Sequence, residues 1–404
     1  MPDFCYVGNS ESEKIPATIK VIGVGGAGGN AINSMIEANL QGVNFIVANT
    51  DIQSLNVSKA STRIQLGAKL SHGLGAGANP ERGKDAALES EAEIRNVLSG
   101  SNMVFITAGL GGGTGTGASP VIAKICKEME ILTVAVVTKP FSFEGRKRIQ
   151  VSDNGLEALR QVADTVITIP NNRLRGISGT DTKMIDMFRR ADEILHNSVK
   201  GISDLIYIPG YINLDFADVQ AAMSKSGMAL MGIGISSGDN RAIEAAERAI
   251  SHPLLEDISI SGAKAVLMNI SSNRDVTMEE VMQASDRIHK EVGDDAEIFW
   301  GTVFDDALAN EMRVTVIATG IGTKAERESL IDNKKVTPLK TKIQMMEMKP
   351  RGVVRDYTEE DQAIAANCPT EPVLITKKAN SKYRGLVIDN DVYDIPTFLR
   401  RKAD

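Results

Sequence analysis

Two glycine runs stand where a backbone must approach something closely. The first, Gly23-Val24-Gly25-Gly26-Ala27-Gly28-Gly29-Asn30, follows the apolar run Ile19 to Val24 and precedes a helix-like pattern. It contains Gly-x-Gly-x-x-Gly from Gly23 to Gly28, and Asp51 falls about where a dinucleotide-binding fold places its ribose-binding acid. A chain without Cβ lets N–H groups reach phosphate oxygens at a helix N-terminus, although a tight strand-to-helix turn would use the same residues. The second run, Gly111-Gly112-Gly113-Thr114-Gly115-Thr116-Gly117, also lies between a strand and a helix pattern. Seven consecutive Gly or Thr exceed what a turn needs; they suit an array of N–H donors with hydroxyls wrapping a polyphosphate. A third run, Gly73-Leu74-Gly75-Ala76-Gly77-Ala78-Asn79-Pro80, could close over the outermost phosphate. Walker A spacing is missing, since Gly77 to Lys84 has the wrong interval.

The elements that must hold these runs alternate. Ile19 to Val24, Asn44 to Asn49, Met103 to Ala108, Leu132 to Thr138 and Thr165 to Pro170 read as short buried strands. Helix patterns at Asn30 to Ala38, Glu81 to Leu98, Ala118 to Met129 and Asp153 to Val162 lie between them, which argues for a parallel sheet covered on both faces. Met184, Phe188, Ala191, Leu195, Val199 and Ile202 recur at three- and four-residue steps, predicting one long helix. Beyond Pro209, Ala263 to Ile270, Glu297 to Val303 and Arg313 to Ala318 read as strands of a second α/β region. The expected organisation is an N-terminal arm at 1–17, a nucleotide-binding domain at 18–181, a central helix at 182–206, a second α/β domain at 207–321, a disordered linker at 322–388 and a docking peptide at 389–404.

Composition narrows the class. The chain has 404 residues, 42% hydrophobic and 24% charged, which is globular rather than disordered or fibrous. Lys and Arg number 45 against 52 Asp and Glu, so bulk charge gives no reason to expect nucleic-acid binding. Residues 323–404 reverse the balance, with 16 basic against 13 acidic residues, few aromatics and no sustained periodicity. Within them, Val392, Tyr393, Ile395, Pro396, Phe398 and Leu399 cluster between charged flanks and suggest a peptide that orders on binding. Three separated cysteines, no metal-type His spacing, no leader-like N-terminus and no 18-residue apolar run point to a cytoplasmic chain without direct membrane insertion.

The seven-residue Gly/Thr run resembles the signature loop of the tubulin/FtsZ superfamily in its bacterial FtsZ form. The resemblance continues through Asn49-Thr50-Asp51, Gly73 to Pro80, Lys139 to Arg146, Asn213-Leu214-Asp215-Phe216-Ala217-Asp218 and Asp394-Ile395-Pro396-Thr397-Phe398-Leu399-Arg400. It covers about residues 18 to 321 plus the terminal peptide, and implies a tubulin-like fold and a GTPase that polymerises head to tail into the bacterial division ring at midcell.

What the resemblance implies for the site is specific. Gly26, Ala27, Gly28, Gly29, Asn30, Gly111, Gly112, Gly113, Thr114 and Gly115 would hold the phosphates of GTP or GDP, with Gly25, Ala76, Gly77 and Ala78 also binding the nucleotide. Glu144 and Arg148 would contact the ribose and phosphate region; Asn171, Phe188 and Asp192 would hold guanine. Phe188 and Asp192 are four apart, hence on one helix face, where Phe188 can stack and Asp192 can accept from guanine N1–H and its amine. Glu193 adjoins Asp192, and both registers are open. Asn213, Asp215 and Asp218 would enter the next subunit's site and orient the attacking water; read without the family, Asp215 and Asp218 are a helix cap. Mg²⁺ would ride mainly on phosphates and water, helped by Asp51 and Gln53. Asp394, Ile395, Pro396, Phe398, Leu399 and Arg400 would dock membrane adaptors and regulatory division proteins. Two rivals are an NAD-dependent oxidoreductase and a tubulin-like filament serving cell shape or plasmid movement.

Overall fold

The computed structural model describes residues 17–177, 182–208, 210–225, 228–255, 260–293 and 295–321. Residues 1–16, the expected linker at 322–388 and the expected peptide at 389–404, with Asp394, Ile395, Pro396, Phe398, Leu399 and Arg400, lie outside them.

The first part of the chain alternates: β1 (Ile19–Val24), α1 (Gly25–Glu37), β2 (Val43–Asn49), α2 (Ile52–Asn56), β3 (Thr62–Gln65), α3 (Ala68–Ser71), α4 (Pro80–Glu89), α5 (Glu91–Leu98), β4 (Met103–Gly109), α6 (Thr114–Glu128), β5 (Leu132–Lys139), α7 (Arg146–Arg160), β6 (Thr165–Pro170) and α8 (Asn171–Ile177). The long helix α9 (Met184–Tyr207) follows. After it come α10 (Phe216–Met223), β7 (Met228–Ser237), α11 (Arg241–Ile250), β8 (Ala265–Ser272), α12 (Met278–Val292), β9 (Glu297–Phe304) and β10 (Glu311–Ile321).

The ten strands form one sheet, ordered β3-β2-β1-β4-β5-β6-β7-β10-β8-β9. Neighbours from β3 to β7 run parallel, β10 is antiparallel to both β7 and β8, and β9 is parallel to β8. Interior strands such as β4 and β5 are buried almost end to end, as parallel strands covered on both faces must be. On one face α1 and α9 pack through Ile32, Met35, Leu195, Val199 and Ile202. On the other, α4 to α7 pack through Ala87, Ile94, Ile122 and Leu159. α11 and α12 cover the second half of the sheet through Ala245, Ala249, Ala284 and Ile288.

Several elements differ from the sequence expectation. α1 and α6 begin at Gly25 and Thr114, inside the glycine runs, so those runs are helix first turns. The single helix expected over Glu81 to Leu98 is two, broken at Ser90, whose hydroxyl accepts the Gly67 N–H at 3.0 Å and so serves the β3–α3 connection. β7 carries Gly232 and Gly234 where a strand would ordinarily avoid them. A Cβ at either would lie 1.9 Å from a carbonyl of α11, so helix and strand touch backbone to backbone there. Among the described residues no helix is long and apolar enough to cross a membrane.

Candidate functional site

The chain passes from β1 outward to β2 and β3, then returns to place β4 on the other side of β1. The crevice at the carboxyl ends of β1 and β4 is therefore the topological switch point, where open α/β sheets take their ligands. The two glycine runs leave the sheet at these two ends, the first entering α1 directly after β1 and the second reaching α6 across residues 110–113. Neither helix has a side-chain cap, and neither has an acidic residue in its first turn. Two bare rows of N–H groups, each at the positive end of a helix dipole, thus face one crevice.

Close backbone contact holds the two runs together. Gly25 adopts φ 73°, and a Cβ there would lie 2.9 Å from the amide nitrogen of Gly115. Gly26 and Gly112 face open space, while Ala27 and Asn30 are exposed and Gly28 is buried. Ala27 sets its methyl over Gly109, whose own Cβ would lie 2.6 Å away. Both threonine hydroxyls also have partners within the protein. Thr116 is buried and its Oγ1 accepts the Gly111 N–H at 2.8 Å; Thr114 Oγ1 lies 2.6 Å from Thr50 Oγ1. In the third run Gly77 and Ala78 are exposed, whereas Ala76 is buried with its methyl against Gly113.

Beside the phosphate crevice, Glu144 stands in a short 3₁₀ turn. Its Oε1 accepts the Phe141 N–H at 2.8 Å and its Oε2 pairs with Arg148 at 2.8 Å. The carbonyl of Arg148 backs onto Gly111, so α7 supports the second run. Phe141, fully buried, stacks on Phe143 and meets Phe188 edge to face at 5.3 Å; Phe188 keeps 39% of its surface exposed. Asn171 starts α8, is only 5% exposed, and its Oδ1 has no hydrogen-bond partner. Asp192 is half-buried, and burial, aided by the neighbouring Glu193 charge, pushes its carboxyl up to about 6. Glu193 itself is exposed and lines a separate groove with Asp186, Arg189 and Asn197. Asp51 caps α2, accepting from the Gln53 N–H at 2.9 Å and the Ser54 hydroxyl at 2.7 Å; the Ser54 bond leads in holding its carboxyl below the usual range.

Asn213, Asp215 and Asp218 are elsewhere. Helix α9 has 24 residues, a length of about 36 Å. Near its start Phe188 meets Phe141 just beyond the carboxyl end of β5; at its end Tyr207 packs on Gly42 and donates to the Ala17 carbonyl before β1 begins. The loop that follows therefore leaves near the amino end of β1, opposite the strand ends that carry the glycine runs. Asp215 and Asp218 form a reciprocal cap on α10, and Asn213 accepts the Gly210 N–H at 2.6 Å. Phe141 and Phe188 meet near the start of α9, and these three residues lie past its other end. Sequence reasoning passed over Thr50 and Phe141, although both lie inside motifs it had singled out.

A switch point that gathers two bare helix ends is suited to a phosphate chain, and the fold and site define a nucleotide-binding α/β protein. Comparison with known proteins narrows that class. Residues 18–179 match the Tubulin/FtsZ family, GTPase domain, and residues 227–322 match the FtsZ family, C-terminal domain. The cell division protein FtsZ of Pseudomonas putida is 47% identical over 392 residues, 96% of this chain and 97% of the relative. That of Rickettsia prowazekii is 44% identical, with 98% of each chain covered. The solved FtsZ dimer of M. jannaschii is similar with a TM-score of 0.72 at 44% identity, over 76% of this chain and 88% of that one. The chain belongs to the tubulin/FtsZ family of GTPases.

Proposed function

We propose that the chain is a cytoskeletal GTPase that assembles head to tail into protofilaments of the bacterial division ring and hydrolyses GTP where two subunits meet. The observation that carries this reading is the distance between the two halves of the site. The glycine runs and the Asn213-to-Asp218 loop lie at opposite ends of α9, so a second copy stacked on the first would bring one subunit's acids onto the other's phosphates. The solved M. jannaschii FtsZ is a dimer, which supports self-association.

Phosphoryl transfer asks mainly for positioning and charge neutralisation. The open N–H groups of α1 and α6 would hold the phosphates. The orphan Oδ1 of Asn171, the half-exposed Phe188 ring and the raised carboxyl of Asp192 would hold guanine, with the exposed Glu193 turned to another groove. The reciprocal cap engages Oδ1 of Asp215 and Oδ2 of Asp218, leaving one oxygen of each to orient a water with Asn213. Mg²⁺ would supply charge neutralisation. Asp51, ionised and with lone pairs beyond those its cap uses, fits a water-mediated contact, and Gln53 stands beside it. Among the described residues no cluster of three or more His, Cys, Asp or Glu could hold a metal, so phosphate oxygens would carry most of its coordination.

The division at 18–181, 182–206 and 207–321 is supported by the sheet itself, since β6 and β7 share only two register pairs, Val166 with Met228 and Ile167 with Ala229. The protein would act in the cytoplasm at midcell, and residues 389–404 would recruit membrane adaptors and regulators. The test is GTP hydrolysis per molecule over a concentration series with Mg²⁺, with light scattering in the same cuvette. A specific rate that climbs past a threshold together with scattering is expected; a rate independent of concentration would sink the shared site.

A further inference from the structure

We propose that Thr50 is a positioning residue for the phosphate chain, acting through Thr114; the proposal rests on the guanine-nucleotide reading above. Thr50 follows β2 and is fully buried. Its carbonyl accepts the N–H of Gly75, in the third glycine run, at 3.2 Å. Next to it, the Ile52 N–H donates to the Gly73 carbonyl at 3.1 Å and Asp51 forms a β-bridge with Leu74. Its own Oγ1 lies 2.6 Å from that of Thr114, the first residue of α6. One buried residue thus ties the third glycine run to the second, alongside the contact of Ala76 with Gly113.

The nucleotide would set the direction of this bond. A hydroxyl has one proton and two lone pairs. With a phosphate oxygen against it, Thr114 gives its proton to the anion, and the 2.6 Å contact then requires Thr50 to donate to Thr114 Oγ1. Donors run in series from Thr50 to Thr114 to phosphate, and bonds in series polarise one another. Because Thr50 is β-branched and buried, its hydroxyl is already oriented and needs no ordering when the ligand arrives.

The experiment compares wild type, Thr50→Val and Thr50→Ser for GTP affinity, for affinity toward guanosine, which has no phosphate, and for nucleotide-free melting temperature. Valine keeps the shape and removes the hydroxyl; it should weaken GTP about 5- to 10-fold, leave guanosine unchanged, and leave the melting temperature close to wild type. Serine, which restores the hydroxyl, should recover most of the GTP affinity. Unchanged GTP affinity in Thr50→Val, an equal loss for guanosine, or an equal loss in Thr50→Ser would each overturn the role. A wild-type chain that binds no GTP removes the nucleotide reading and this role together; a wild-type chain that binds GTP while Thr50→Val matches it removes only the role of Thr50.

Discussion

Asp215 and Asp218 hold each other across the first turn of α10. The Asp215 carboxylate accepts the Asp218 N–H at 2.8 Å, and the Asp218 carboxylate accepts the Asp215 N–H at 3.3 Å. The cap fixes both rotamers before any partner arrives, and it separates two consequences that an alanine would mix. Asparagine caps a helix as well as aspartate does. Asp215→Asn is therefore expected to bind GTP and scatter light like wild type while turning GTP over at least tenfold more slowly. Asp215→Ala should lose turnover and, in addition, about 1 kcal/mol of stability with the cap, read as a fall in melting temperature that Asp215→Asn does not show.

The methyl of Ala27 and the bare Cα of Gly109 are a matched pair. Gly109→Ala alone should overpack the joint between the two phosphate runs, costing about 1–3 kcal/mol. The double variant Ala27→Gly with Gly109→Ala frees that space and should regain most of it. Melting temperatures of the four proteins measure the coupling, and additive effects would mean that the two residues do not press on each other.

Asp192 predicts a pH dependence with opposite signs for stability and for binding. Its carboxyl rises from 3.8 to about 6 in the nucleotide-free fold. Between those values the native chain holds a proton that the unfolded chain has released, so this stabilisation is present at low pH and lost as pH rises through about 6. In the proposed guanine contact the ionised form is the acceptor, so GTP affinity should fall as pH drops below about 6, by up to about tenfold per unit. Affinities measured from pH 5 to 8 check this. Asp192→Asn should bind more weakly throughout and lose the slope.

Asn171 has a side-chain carbonyl oxygen that no protein group satisfies among the described residues. Its Oδ1 is buried without a partner, and such a group costs about 1–3 kcal/mol while unmatched. Asn171→Leu, similar in volume, should leave the nucleotide-free melting temperature equal to wild type or higher while weakening GTP binding. A lower melting temperature with unchanged affinity would make Asn171 a purely structural residue.

The parallel strands were readable because strands buried on both faces are written as unbroken apolar runs, and β1, β4, β5 and β6 begin within the predicted segments. α9 was readable because one apolar stripe at helical period spans it. β7 was not, since Gly232 and Gly234 look like a loop until the carbonyls of α11 are seen against them. The start of α6 was equally hidden: glycine and threonine disfavour helix locally, and Thr116 offers its hydroxyl to Gly111 only once the turn exists.

The residue types of the candidate site, its glycine runs and its acidic loop were set by sequence alone, because glycine without Cβ and carboxylates at fixed spacing are local chemistry. Tertiary structure decided how they are shared out. It brought the glycine runs together at a switch point created by strand order, turned Asp192 inward and Glu193 outward by the rotation of one helix, and drew Thr50 to Thr114 across 64 residues. It also placed Asp215 and Asp218 beyond the far end of α9 from Phe188, since α9 carries the chain from the carboxyl ends of the strands toward their amino ends.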